Sequence, residues 1–388
     1  MDFTLEEALK ASMDRGVSDV HISVGRPVMF RMDGKLVALN DHVLSPKDVE
    51  ELLLPILNEK LRNSLDTDGE IDFAYSLQGI GRFRLNVFKQ RGTYAAALRL
   101  LPFSIPAPEK LSIPKAVQNM VTKKRGLVLV TGPTGSGKST TLASLINVIN
   151  QVQPVHIITL EDPIEYLHKS QQAVVVQREI GLDTQGYAPA LRAALRQDPD
   201  IILLGEMRDL DTISTAVTAA ETGHLVFSTL HTIGAAATID RIVDVFPPHQ
   251  QEQIRIQLAM VLECVCSQQL LPRADKGRCA AFEVMVANPA IRNLIREGKT
   301  FQIPSMMQTN KKSGMITMDD SLFDLYSARK ITAEVALTFA QDLAYLSRKI
   351  NPGSAGAVPG PGPGPGPGMG IDDGMGMGMG MGMGMGNF

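Results

Sequence analysis

What this chain has little of narrows it first. Its three cysteines, Cys264, Cys266 and Cys279, are too few for a disulfide framework. They form neither a C-x-x-C pair nor a four-ligand zinc site, and read as buried thiols in a reducing cytoplasm. No apolar run reaches the roughly 18 residues of a membrane span. The acidic opening, Met1-Asp2-Phe3-Thr4-Leu5-Glu6-Glu7, carries no signal-peptide pattern. Basic charge is not in excess: 38 Lys and Arg stand against 41 Asp and Glu, a formal net charge of −3. With no run that interleaves aromatic and basic side chains, no nucleic-acid partner is expected.

What is present is an ordinary globular composition, 44% apolar and 20% charged over 388 residues, enough for about two domains. Residues 1–100 mix helix and strand signals. Leu5, Ala8, Leu9 and Ser12 suggest a first helix ended by Gly16, Met32-Asp33-Gly34 a hairpin, and Ser45-Pro46 a capped helix start. Residues 71–75, 81–88 and 93–100 read as strands of a small α+β domain. Pro102, Pro106, Pro108 and Pro114 mark a linker over 101–115. Residues 116–350 begin with strands at 127–130, 156–160, 201–204 and 225–229 separated by helices, which predicts a parallel sheet covered on both faces. From Pro248 on, helices are expected, the longest over 250–268. Residues 351–388 hold Pro-Gly and Gly-Met repeats that cannot bury enough surface to fold, so a disordered tail is expected.

The stretch Gly132-Pro133-Thr134-Gly135-Ser136-Gly137-Lys138-Ser139 fits the phosphate-binding loop G-x-x-x-x-G-K-[ST]. It follows an apolar strand and opens a helix from Thr140, as such a loop must. Its glycines let successive N–H groups point at phosphate oxygens, and the helix N-terminus adds partial positive charge. Lys138 would reach the β- and γ-phosphates and the Ser139 hydroxyl would bind Mg²⁺. The chain therefore binds a nucleoside triphosphate, with ATP and Mg²⁺ the expected cofactors.

Hydrolysis needs carboxylates near the metal and the attacking water. Glu161, Asp162 and Glu165 follow one apolar strand, and Glu206 ends another behind Gly205. In an open parallel sheet, ligand chemistry gathers at such carboxyl ends. His224 and His231 bracket the strand at 225–229 and are candidate γ-phosphate sensors. Arg192 and Arg196 lie four apart on one helix face, and Arg208 follows Glu206 by two. Such arginines stabilise phosphoryl charge only where they reach it, often from a neighbouring subunit. Arg82 and Arg84 share a strand face, and Arg84 and Arg99 are candidate phosphate contacts from the small domain.

Together these residues resemble the secretion-superfamily ATPases, over about residues 1–345. The phosphate loop is Gly132 to Ser139, the Asp box Ile158-Thr159-Leu160-Glu161-Asp162-Pro163-Ile164-Glu165, the atypical Walker B runs from Asp198 to Asp209, and the His box from Thr222 to Thr232. Ser18-Asp19-Val20-His21-Ile22-Ser23 and Ala290-Ile291-Arg292-Asn293-Leu294-Ile295 are similar to segments of the PilT family of type IV pilus retraction motors. The resemblance implies a PAS-like N-terminal domain, a RecA-like P-loop ATPase domain and a homo-hexameric ring. It places the catalytic glutamate on Glu206, the Asp-box acid on Glu165 (a magnesium contact, directly or through water), the phosphate-sensing histidine on His231 and N-domain arginines on Arg84 and Arg99. The implied partners are an inner-membrane platform protein, with the motor peripheral at the cytoplasmic face, and an accessory retraction motor. Pilus-assembly and secretion ATPases usually carry an extra N-terminal region and a four-cysteine zinc module. Neither is read here, which favours retraction over assembly. A nucleic-acid translocase or a non-hydrolysing scaffold is a further alternative, the latter disfavoured by intact Lys138 and Glu206. Ile291, Leu294 and Ile295 make one apolar helix face, read with the family as partner surface rather than core.

Overall fold

Local signals build a first sheet. Helix α1 (Leu5–Asp14) starts at a reciprocal cap between Thr4 and Glu7 and buries Leu5, Ala8, Leu9 and Ser12. Strands β1 (Asp19–Ser23), β2 (Met29–Met32) and β3 (Lys35–Ala38) follow. Helix α2 (Pro46–Leu53) begins with a Ser45–Asp48 capping box and a proline in its first turn. Helix α3 (Glu59–Asp68) shows no clear apolar period because Leu65 is its one fully buried residue. Strands β4 (Glu70–Leu77), β5 (Gly81–Gln90) and β6 (Thr93–Leu101) complete an antiparallel sheet of order β3-β2-β1-β6-β5-β4. Along β5, Phe83, Leu85 and Val87 are buried while Arg82, Arg84 and Asn86 face the other way.

The structure, a computed structural model, describes residues 3–32, 34–77, 80–101 and 104–351. Asp33 of the expected hairpin turn, Pro102 of the linker and the tail over 352–388 lie outside the described residues.

After a short helix α4 (Lys115–Gln118), strand β7 (Gly126–Thr131) leads through the phosphate loop into α5 (Lys138–Val152). Then come β8 (His156–Glu161), β9 (Val174–Glu179), α6 (Tyr187–Ala194), β10 (Ile201–Leu204), α7 (Leu210–Glu221), β11 (Leu225–Leu230), α8 (Ala235–Asp244) and α9 (Pro248–Val261). The second sheet has the order β13-β12-β7-β11-β10-β8-β9, with β12 (Leu262–Pro272) and β13 (Arg278–Val286) at one edge. All its pairings are parallel except β12 with β13. Helices cover both faces, and β7, β10 and β11 are buried from end to end. The chain is thus α/β, with its phosphate loop leaving a central strand.

Two expectations need correction. The helix expected over 250–268 ends at Val261, and the chain turns directly into β12. Cys264, Val265 and Cys266 lie between β7 and β13 and pair with both. A strand buried on both faces has no period that distinguishes it from a buried helix. The partner-surface reading of Ile291, Leu294 and Ile295 also fails. In α10 (Pro289–Arg296), Ile291 and Ile295 are fully buried and Leu294 nearly so, all within the core shared with β7 and α9. Beyond α11 (Ile303–Thr309), helices α12 (Met318–Ser327), α13 (Ala333–Thr338) and α14 (Leu343–Ile350) pack a smaller core against the end of β12.

Candidate active site

The phosphate loop folds as its glycines require. Gly132, Gly135 and Gly137 all have positive φ, and a Cβ on Gly132 would lie 2.2 Å from the Gln268 carbonyl oxygen. Gly137 caps α5 without any side-chain hydrogen bond, so the helix's first N–H groups have no side-chain cap. The buried Lys138 donates from Nζ to the carbonyls of Gly132 at 2.9 Å and Pro133 at 3.0 Å. Burial lowers its pKa, with Glu206 and Glu165 opposing that shift. A cation held over uncapped amides at a helix start suits the phosphates of a nucleotide.

The loop forms one wall of a cleft of about 500 Å³ at the carboxyl ends of the parallel strands. Thr134, Gly135, Gly137, Lys138, Ser139 and Thr140 line it, with Glu165, Glu206, Arg208 and His231 opposite. Gly205 delivers Glu206, because a Cβ there would lie 2.7 Å from the Tyr187 hydroxyl. Glu206 Oε2 forms an ion pair with Arg208, 2.7 Å from its Nε, and lies 3.3 Å from His231 Nε2. Glu161, also in the cleft, has its pKa pushed up to about 7, chiefly by burial. Hydrogen bonds to its Oε1 from Thr159 Oγ1 (2.6 Å) and Gln177 Nε2 (3.1 Å) oppose the rise. Burial and the charge of Glu206 raise the pKa of Asp162.

The remaining sequence candidates separate. Arg84, from β5 of the antiparallel sheet, lines the cleft. Arg99 pairs instead with Asp19 at 2.8 Å. Arg192 pairs with Asp211 at 2.8 Å, and Arg196 donates to the Arg192 carbonyl, both away from the cleft lining. Ser136 and Pro133 shape the loop from behind the lining residues. His224 precedes β11 at the opposite end of the sheet and sits against the Ala219 carbonyl at 2.9 Å. Of the two histidines, His231 alone reaches the cleft.

Sequence reasoning missed several contacts around this site. Gln268 of β12 donates from Nε2 to the Ser136 carbonyl at 2.6 Å and accepts from Thr141 Oγ1 at 2.8 Å, clasping the loop from beneath. Its strand was expected to be helix, so no signal pointed to it. The hydroxyls of Tyr166 and Thr140 lie 3.0 Å apart, linking the acid-bearing segment to the start of α5.

Residues 3–336 match the family described as Type II/IV secretion system protein. The chain is 48% identical over 336 residues to the type IV pilus retraction ATPase PilT of Pseudomonas aeruginosa, covering 87% of this chain and 97% of that one. It is 48% identical over 320 residues to a twitching motility protein of Neisseria gonorrhoeae, covering 82% of this chain and 86% of that one. Its fold superposes on the crystal structure of the pilus retraction motor PilT with bound ADP at a TM-score of 0.85 and 50% identity, covering 89% of this chain and all of that one. The chain belongs to the Type II/IV secretion system protein family and, within it, to the PilT-type retraction ATPases.

Proposed function

We propose that this chain is the ATP-hydrolysing subunit of a homo-hexameric motor that retracts type IV pili and so powers twitching motility. One observation carries the reading: Lys138, Glu165, Glu206 and His231 converge on one cleft in a chain alike to a named retraction ATPase over nearly its whole length. In this reading the loop amides and Lys138 bind the β- and γ-phosphates. Ser139 and Glu165 would hold Mg²⁺, which neutralises phosphate charge when bound. The described residues contain no cluster of three or more His, Cys, Asp or Glu that would hold a metal unaided. One hydroxyl and one carboxylate suit an ion that keeps water and phosphate ligands. Glu206 orients and polarises the attacking water, while Arg208 and His231 fix its carboxylate. His231 also senses the γ-phosphate. Arg84 reaches the same phosphates, and Arg99, Arg192 and Arg196 would act across a ring interface.

We take residues 1–100 as a PAS-like domain, 101–115 as a linker and 116–350 as the ATPase domain. The pairing of β1 with β6 at the centre of the first sheet, with α2 and α3 between its two strand triplets, supports the first assignment. Closure of the two domains on ATP would drive an inner-membrane platform protein from the cytoplasmic face, with an accessory retraction motor beside it. No helix among the described residues is long and apolar enough to cross a membrane. Deleting the gene tests the reading: excess surface pili with lost twitching is expected, and bald cells would assign the chain to assembly. DNA-stimulated hydrolysis would instead indicate a translocase.

A further inference from the structure

One buried carboxylate joins the antiparallel sheet to the acid-bearing loop of the cleft. Glu179 ends β9 and is buried. Its Oε2 accepts from Arg82 Nη2 at 2.9 Å and from the Ile164 N–H at 3.1 Å, and its Oε1 accepts from the Ala74 N–H at 3.3 Å. Arg82 Nε in turn donates to the Ile164 carbonyl at 3.2 Å. Ala74 and Arg82 belong to β4 and β5, whereas Glu179 and Ile164 belong to the nucleotide-binding part. Both polar atoms of the Ile164 backbone are therefore held by one ion pair whose halves come from different sheets. The contact continues nearby. Lys60 of α3 donates to the Gly181 carbonyl, and Leu182 packs into the core of the antiparallel sheet.

Ile164 immediately precedes Glu165. With residue 164 fixed at its N–H and its C=O, the next side chain is aimed by the ion pair. The same face of β5 carries Arg84 into the cleft two residues on. A displacement of the antiparallel sheet would thus move Arg84 and release Glu165 together. The geometry points to Arg82 and Glu179 as positioning residues that set Glu165 in the cleft only while the antiparallel sheet is docked. This rests on the reading of Glu165 proposed above. An ordinary structural ion pair would hold the domains together without touching the backbone beside a cleft acid. Here the pair shares both of its members with that backbone.

Removing Arg82 alone would leave Glu179 charged and unpaired in a buried place, which threatens the fold. The test therefore uses Arg82→Met/Glu179→Gln, which removes both charges, together with Arg82→Lys, which keeps the charge without the fork. Glu165→Gln serves as the control. Steady-state kcat and KM for ATP, equilibrium affinity for ADP, and melting temperature are measured on the full chain. The double variant is expected to melt near wild type and bind ADP within about threefold, while kcat falls about 10²-fold, the scale for a misplaced catalytic group. Arg82→Lys should recover part of kcat. The inference is overturned if the folded double variant keeps kcat within about twofold, or if its kcat falls only in step with ADP affinity or folded fraction. If Glu165→Gln turns over normally, the role of Glu165 fails and takes the coupling with it. If Glu165→Gln is inactive while the double variant is normal, the coupling alone fails.

Discussion

The two sheets place charge in opposite ways. In the antiparallel sheet, β5 alternates buried Phe83, Leu85 and Val87 with Arg82, Arg84 and Asn86, so polar residues occur at every second position. In the parallel sheet, β7, β10 and β11 are buried throughout, and charge returns only beyond their ends, at the cleft as Lys138, Glu206 and His231. Helices on both faces leave these three strands no wet side. A charged residue in the first sheet therefore carries little information by position alone. Past the carboxyl ends of the central strands β7, β10 and β11 it falls in the ligand crevice. Arg82 and Arg84 acquire meaning only because another part of the chain closes over their face.

The sharpest way to break that comparison is at the crevice. Lys138→Ala should abolish Mg²⁺-dependent ATP hydrolysis. Glu206→Gln should keep ATP binding yet lose turnover by about 10²-fold or more, because an amide cannot polarise water as a carboxylate does. Nucleotide affinity and hydrolysis measured on both variants decide the matter. Near-normal turnover in Glu206→Gln would move the role to Glu161 or Glu165.

Next comes a core position with no charge at all. Ile295→Ala in α10 should cost about 2–5 kcal/mol of stability, since the side chain is fully buried in the core shared with β7. Denaturant titration measures the loss, and ATPase activity should fall only as the folded fraction does. A folded, fully active variant that fails in retraction would restore the partner-surface reading. Effects specific to retraction are expected instead at Asn293 and Arg296, two of the exposed positions of the same helix.

These contrasts explain what could be read from the sequence. The phosphate loop, Glu206 and the end of β11 were legible because a buried apolar strand followed by a polar residue is a strong local pattern. Strand β12 was not, because full burial erased its period, and with it went Gln268. Arg192 and Arg99 show the limit of residue type. Both suit phosphate, but only the fold shows that within one chain they pair with Asp211 and Asp19 and stand outside the cleft lining. The Arg82–Glu179 pair joins positions 97 apart in sequence, which no local pattern can reveal.

Glu161 allows a smaller, pH-dependent test. Its folded pKa of about 7 lies above the usual 4.5. Below 4.5 both folded and unfolded chains hold the proton, and nothing is lost. Between 4.5 and about 7 the unfolded chain releases it first, so stability falls as pH rises. Above about 7 the full penalty applies. Because Thr159 and Gln177 both donate to Oε1, the carbonyl of a glutamine can keep both bonds. Glu161→Gln should therefore be stabilising by up to about 3 kcal/mol at pH 8 and nearly neutral at pH 4.5. Denaturation midpoints at the two pH values measure this, and an equal difference at both would refute the assignment.

The smallest effect is expected at Arg192. Its Nη1 lies 2.8 Å from both Asp211 oxygens, bridging α6 and α7 on a half-exposed surface. An exposed pair of this kind contributes about 0–1 kcal/mol, screened further by salt. Within one chain, then, Arg192→Ala should change the melting temperature very little and leave ADP affinity intact, since the residue stands outside its own cleft. Turnover is where the two accounts of this arginine part. A surface pair predicts unchanged kcat at every protein concentration. An arginine lent to a neighbouring subunit predicts normal nucleotide binding with a fall in kcat that appears only under conditions where rings form. Mixing Arg192→Ala chains with Lys138→Ala chains separates these further. If Arg192 acts across an interface, intact Lys138 clefts flanked by chains that retain Arg192 recover activity as the mixture is assembled. A purely local pair gives no such recovery, and Arg192 would then be a solvated helix residue like most arginines on such a face.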